Sequence, residues 1–302
     1  MINGMLNVYK EKGYTSHDVV AKLRGITGQR KIGHTGTLDP EATGVLPVCL
    51  GKATKLCGML ADRDKTYETV LLLGCTTDTQ DVSGEVQKSS DISGIIEDQV
   101  RNVIESFVGE YAQIPPMYSA LKVNGKKLYE LAREGKEIER KTRRVKIHRL
   151  QILKMDLPRV TMEVSCSKGT YIRTLCHDIG EKLGCGGCME ELTRTKVGSF
   201  GLRDSLTLDA IRKKQEAGIL ADMVIPIDTV FQQYKKVIVN SRWQRLAYNG
   251  NSLPQKAVAG ERMQEQECVR LYDGKGHFIG IYKWEEKKQE YHLIKMFFQE
   301  ED

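Results

Sequence analysis

Val160, Met162, Val164 and Cys166 alternate with Thr161, Glu163 and Ser165, the period of a strand with one buried face. Upstream, Leu6–Tyr9 reads as a strand, Tyr67–Leu73 as a largely buried one, and Val145, Ile147, Leu150 and Ile152 as another. Helical spacing governs other stretches. Ser16 is placed to cap a helix through Val19, Val20 and Leu23 that ends near Gly25 or Gly28. Thr54–Ala61 reads as a short helix, and Ile95, Ile96, Val100, Val103, Ile104 and Phe107 mark a longer one. Lys126–Arg133 is a further helix, and Thr170 is placed to cap one carrying Ile172, Leu175, Cys176, Ile179 and Leu183, with Gly184 as its stop. Strands and helices interleave irregularly, so the pattern predicts α+β with a mixed, largely antiparallel sheet rather than a doubly wound parallel one.

The pattern changes near Phe231. Val269–Tyr272, the turn Asp273-Gly274-Lys275-Gly276 and Phe278–Lys283 read as a hairpin, and His292–Phe298 as a strand. Short strands of this kind predict a small β-barrel domain over 233–302, after a larger domain over 1–232.

One stretch escapes both periods. Gly33-His34-Thr35-Gly36-Thr37-Leu38-Asp39-Pro40-Glu41-Ala42-Thr43-Gly44 holds three glycines, which let the backbone turn tightly and approach a ligand. Pro40 biases Asp39 towards an extended backbone. The expectation is a rigid loop that adds little to a core and holds one carboxylate outward.

Composition narrows the class. Of 302 residues, 40% are hydrophobic and 28% charged, as in ordinary globular proteins. No run approaches the roughly 20 apolar residues of a membrane helix, and the amino terminus lacks a signal-peptide pattern, so a cytoplasmic location is expected. Eight scattered cysteines do not form a disulfide framework. Cys185-Gly186-Gly187-Cys188 has no second ligand pair, so reduced thiols are favoured and no metal is expected. Gly51-Lys52-Ala53-Thr54 lacks the flanking residues of a nucleotide-binding loop; no cofactor is expected.

Net charge is +6, but eleven Lys/Arg against four Glu put +7 between Lys122 and Arg149. The remainder is close to neutral. A field focused on one segment suits a phosphate backbone, and Lys126, Lys127, Arg143 and Arg144 are the candidate contacts. A solvated helix face with Glu/Lys pairs is compatible with that reading.

Arg173 falls in the first turn of its helix, where the dipole disfavours a cation by roughly 0.3–1 kcal/mol. A cation placed there calls for an anion, and Asp39 is the candidate partner.

The glycine-rich string through Lys55 closely resembles the motif around the catalytic aspartate of the TruB family of tRNA pseudouridine synthases. Thr15-Ser16-His17-Asp18-Val19-Val20, Asp64-Lys65-Thr66-Tyr67, Pro115-Pro116-Met117-Tyr118-Ser119-Ala120-Leu121-Lys122 and Cys166-Ser167-Lys168-Gly169-Thr170-Tyr171-Ile172-Arg173-Thr174 resemble its other motifs, in order. Glu11 stands where that family usually has proline, and Gly187-Cys188 where Ala-His is typical.

The resemblance implies isomerisation of uridine to pseudouridine at position 55 in the tRNA T loop. It implies that Asp39 is the catalytic carboxylate, Arg173 its positioner and Tyr67 the aromatic face for the base, with a phenol able to move a proton. Tyr171 and Leu192 would line the base pocket, and His34 would fill the gap left by a flipped nucleotide. The carboxy-terminal segment resembles a PUA domain, an RNA-binding module. The T stem-loop of tRNA is the expected partner of a monomer needing no membrane and no obligatory protein partner. The alternative is a tRNA-binding folding helper whose benefit does not depend on isomerisation.

Overall fold

The computed structural model describes residues 1–258 and 264–298. Its main sheet has nine strands among the described residues. Seven follow one path: Gly4–Lys10, Thr43–Leu50, Gly187–Val197, Lys65–Leu73, Arg159–Cys166, Arg143–Asp156 and Gly109–Gln113. Ile32–His34 and Phe200–Gly201 pair at its side. Every pairing is antiparallel except one: Thr43–Leu50 meets Gly187–Val197 in parallel, through Thr43 opposite Thr193 and Gly44 opposite Arg194. That short junction joins the two halves of the sheet.

Each half has its own core. Helix Ser16–Thr27 and Leu208 and Ile211 of helix Leu208–Glu216 pack with Leu6, Val8, Leu46 and Val48. Helices Glu97–Glu105 and Ile172–Leu183 pack with Leu71, Val160, Met162 and Val164, the apolar side of the alternation that marks those strands. Helix Ile172–Leu183 approaches the sheet at backbone distance: a Cβ on Gly180 would lie 2.1 Å from the Gly187 nitrogen.

The carboxy-terminal strands form a separate five-stranded sheet, ordered Lys235–Ile238, Cys268–Tyr272, Phe278–Glu285, Glu290–Met296, Leu253–Pro254. A bridge between Val239 and Val258 and the Asn240 N–H to the Ala257 carbonyl (2.8 Å) link its two outer strands, curling it towards a barrel. Phe231, Phe278 and Phe297 pack with Met5 and Val45 of the main sheet, so the two sheets share an aromatic seam. Residues 259–263 and 299–302 of the expected carboxy-terminal domain lie outside the described residues.

Several local expectations change. Thr15, not Ser16, caps the first helix: its hydroxyl accepts the Asp18 N–H at 3.0 Å while the Asp18 carboxylate accepts the Thr15 N–H at 2.8 Å. Thr170 does not cap its helix, because its hydroxyl is spent on the Ser167 carbonyl at 2.9 Å and Tyr171 is the boundary residue. The basic helix is shorter than expected, Leu128–Arg133, because Lys122–Val123 and Lys126–Lys127 form a small hairpin before it. Beyond these changes, the Cys188 sulfur lies 3.4 Å from that of Cys75, a neighbour from a distant part of the chain. All eight cysteines are free thiols, and no described helix is long and apolar enough to cross a membrane.

The Gly180 contact sets two effects against each other. Alanine is the better helix former by about 1 kcal/mol, whereas forcing a methyl against backbone costs about 1–3 kcal/mol. Gly180→Ala is therefore expected to lower Tm by about 2–6 °C, measured by calorimetry. Gly58→Ala, with nothing within 4 Å of the added carbon, is expected to hold or raise it.

Candidate functional site

The glycine-rich segment is not the core-free loop that its composition suggests, although the Asp39 side chain keeps solvent access. Leu38 and Ala42 are buried in the main core, and the Asp39 carboxylate turns inward to Arg173. Burying those two apolar residues draws the backbone between them against the sheet. Its polar groups must then find partners. Ser16, released from capping, supplies one: its hydroxyl accepts the Leu38 N–H at 2.9 Å. The Gly13 N–H reaches the Pro40 carbonyl at 2.9 Å, and the Ala42 N–H reaches that of Asp39 at 3.1 Å.

Two buried cations complete the attachment. The Lys10 ammonium, fully buried, donates to the carbonyls of Tyr14 (2.6 Å), Pro40 (3.0 Å) and Glu11 (3.1 Å). Burial lowers its pKa to about 8. Arg194, 1% exposed, donates from Nε to the Val45 carbonyl (2.7 Å), from Nη2 to Gly36 (3.2 Å) and from Nη1 to Thr37 (3.4 Å). Gly44 has φ +106°, and a Cβ there would lie 2.2 Å from the Arg194 carbonyl oxygen. Only glycine allows the loop to rejoin the sheet there.

Arg173 meets the carboxylate. Its Nε lies 3.1 Å from Asp39 Oδ2 and its Nη2 3.5 Å from Oδ1, a side-on two-point approach. The same guanidinium donates to the carbonyls of Tyr118 (2.9 Å) and Thr79 (3.2 Å), and its Nη1 lies 3.5 Å from Asp81 Oδ2. The other Asp81 oxygen accepts from the Thr79 hydroxyl at 2.8 Å and the Ser83 N–H at 3.0 Å. Arg173 thus draws four segments together at the start of its helix. Its neighbour Tyr171 is held by Gln113, whose amide accepts the Tyr171 N–H at 2.8 Å and donates to its carbonyl at 3.0 Å.

Burial pushes the Asp39 pKa up; Arg173 pulls it down, Asp81 raises it and Lys10 lowers it. Because 41% of the Asp39 side chain remains accessible, water moderates the upward push. Tyr67 is buried and stands opposite Arg194 in the sheet. Burial raises its phenol pKa, so the ring enters the site neutral and protonated. Burial, and then the nearby His17, lower the pKa of half-buried His34. The Gly36 N–H donates to its Nδ1 at 3.3 Å, so His34 is a flat, neutral ring at the mouth of the loop. Leu192 lies opposite Thr69, on the strand that carries Tyr67, and packs against the same core as Tyr67 and Leu38.

Lys126, Arg143 and Arg144 are exposed, while Lys127 is half-buried with its ammonium 3.1 Å from the Tyr129 hydroxyl. Lys126 pairs with Glu134 at 3.4 Å. Arg143 acts electrostatically on Tyr171, so this end of the basic segment lies near that residue. Sequence reasoning missed Lys10, Asp81 and Arg194. Lys10 carried a signal, a charge closing the apolar pattern of its strand; Asp81 and Arg194 sit in polar runs that mark nothing. No cluster of metal-ligating side chains occurs among the described residues.

Comparison with known proteins is consistent along the chain. Residues 24–172 match the TruB family pseudouridylate synthase N-terminal domain, and residues 173–232 the tRNA pseudouridylate synthase B C-terminal domain. A tRNA pseudouridine synthase B of Lachnoclostridium phytofermentans is 52% identical over 98% of this chain and 100% of its own length. One of Clostridium tetani is 42% identical over 98% and 99%. Among solved structures, a Cbf5-Nop10-Gar1 complex aligns with TM-score 0.73 and 27% identity, covering 98% of this chain and 85% of the other. An H/ACA RNP bound to a substrate RNA containing 2′-deoxyuridine aligns with TM-score 0.72 and 25% identity, covering 98% and 85%. With relatives this similar over their full length, the chain belongs to the TruB family of pseudouridylate synthases.

Proposed function

We propose that this enzyme isomerises uridine to pseudouridine in tRNA, at position 55 of the T loop, with Asp39 as the reacting carboxylate. The Asp39–Arg173 pair carries the reading: a carboxylate held at 3.1 Å by a buried arginine yet still open to solvent. Relatives named tRNA pseudouridine synthase B support tRNA as the substrate. Asp39 assists cleavage of the bond between C1′ and N1. The freed uracil turns between the Tyr67 ring and Leu192, rejoins C1′ through C5, and loses the C5 proton while N1 takes up one from solvent. Stacking on an aromatic ring is worth about 1–3 kcal/mol per base, enough to hold a base that is detached from its sugar. A protonated Tyr67 serves as a face and a hydrogen-bond donor rather than as a base.

The target nucleotide lies in a folded loop and must be flipped out, at a cost of a few kcal/mol. Neutral His34 fills the vacated stack without bringing an unpaired charge into the RNA. Lys126, Lys127, Arg143 and Arg144 hold the phosphate backbone. Residues 233–302 form a second RNA-binding unit beside the synthase domain of residues 1–232. The enzyme acts as a monomer in the cytoplasm, without a cofactor.

Asp39→Asn removes the charge and keeps the shape. It is expected to abolish tritium release from tRNA labelled at uridine C5 while leaving tRNA affinity within about threefold. Tight tRNA binding without release by the wild type would instead favour the folding helper.

Arg173 favours the ionised form of Asp39, so its removal raises the Asp39 pKa. The acid limb of kcat/KM is expected above the ordinary aspartate value of about 3.9, and Arg173→Met should move it to still higher pH. Arg173→Lys keeps the charge but loses the fork, and is expected to lower kcat by about tenfold or more with a smaller shift of the limb. An unmoved limb in both variants would sink the pairing as a functional contact.

Replacing Lys126 and Lys127 together by Gln should weaken tRNA binding and reduce the slope of log affinity against log salt by about 1–2, read by filter binding across a salt series.

A further inference from the structure

Arg194 is a buried cation without an anion. Among the described residues no carboxylate pairs with it, and its donors go to the carbonyls of Gly36, Thr37 and Val45. Taking a guanidinium out of water is costly unless its donors are satisfied. An apolar side chain would fill this place at lower cost if filling were all that was required.

The three carbonyls flank Asp39 on both sides in the chain, two before it and one after. The backbone of Arg194 stands opposite Gly44 on one neighbouring strand and Tyr67 on the other. The guanidinium charge also acts on the Tyr67 phenol across that pairing. One rigid, planar group therefore holds both ends of the Asp39 loop, on a residue whose backbone is paired with that of Tyr67.

We propose that Arg194 is a positioning residue for the isomerisation, fixing the separation between the Asp39 carboxylate and the Tyr67 ring within which the uridine must fit. This rests on the reading of Asp39 and Tyr67 as the groups that act on the base. Arg194 acts through geometry, since the charges that move the Asp39 pKa are those of Arg173, Asp81 and Lys10. A lysine at this position keeps the charge, but a single ammonium cannot hold carbonyls on both sides of the loop. A misplacement of about 1 Å costs on the order of 100-fold in rate.

The test is steady-state kinetics of Arg194→Lys and Arg194→Gln on T-loop tRNA, with circular dichroism to establish folding and a pH profile for each. The expected result is folded protein, kcat lowered by about 100-fold, KM within about threefold, and an acid limb unmoved from that of the wild type. The limb separates this role from that of Arg173, whose loss moves it. Folded variants with near-normal kcat, a change confined to KM, or a shifted limb would overturn the proposal. So would failure of both variants to fold, which would make Arg194 a folding residue. Asp39→Asn is measured alongside: if it keeps turnover, the assignment of Asp39 has failed, whatever Arg194 does.

Discussion

A segment rich in glycine has few side chains with which to hold its own shape, so its shape must be imposed through its backbone. The loop that presents Asp39 meets this constraint with buried cations. Lys10 takes the carbonyl of Pro40, Arg194 takes those of Gly36, Thr37 and Val45, and Ser16 closes on Leu38. Ammonium and guanidinium groups donate several hydrogen bonds and accept none, which suits a task made of carbonyls. Arg173 then meets the carboxylate itself. Cations thus do two separate jobs at one site, holding the frame and tuning the acid.

This division explains why a carboxylate with substantial solvent access can still be fixed in place. A free aspartate on a glycine loop would sample many orientations, and each frozen degree of freedom costs entropy at the moment of reaction. Here that ordering is met on folding, by interactions the substrate does not make. The same arrangement keeps Tyr67 and Leu192 on paired strands, packed against the core that also takes Leu38 beside Asp39.

The fold was legible where periodicity was strong. The alternation of Val160 to Cys166 and the helical spacing of Ile172 to Leu183 appear as a strand and a helix. Thr43–Leu50 carries no alternation because both faces of this strand are buried, and it went unread. Caps were misplaced by one residue at Thr15 and Tyr171, since the hydroxyls of Ser16 and Thr170 are engaged by other contacts, with the Leu38 N–H and the Ser167 carbonyl. At the site, Arg173 was legible because its charge opposed the helix dipole. Asp81 and Arg194 were not, because a polar residue in a polar run gives no sign that folding will bury it.

The parallel junction at Thr43 and Gly44 also sets an order of events. Arg194 reaches Val45 across 149 residues of chain, and Arg173 reaches Asp39 across 134. During synthesis the amino-terminal third emerges well before either arginine exists. The Asp39 loop therefore waits, tethered by Lys10 and Ser16 but unfinished, until the strand of Arg194 slots between two strands already made. Contacts of such span are slow to close. Completion of this site is thus a late event in the life of the nascent chain, and a truncated product ending before residue 194 carries Asp39 without the frame that fixes it.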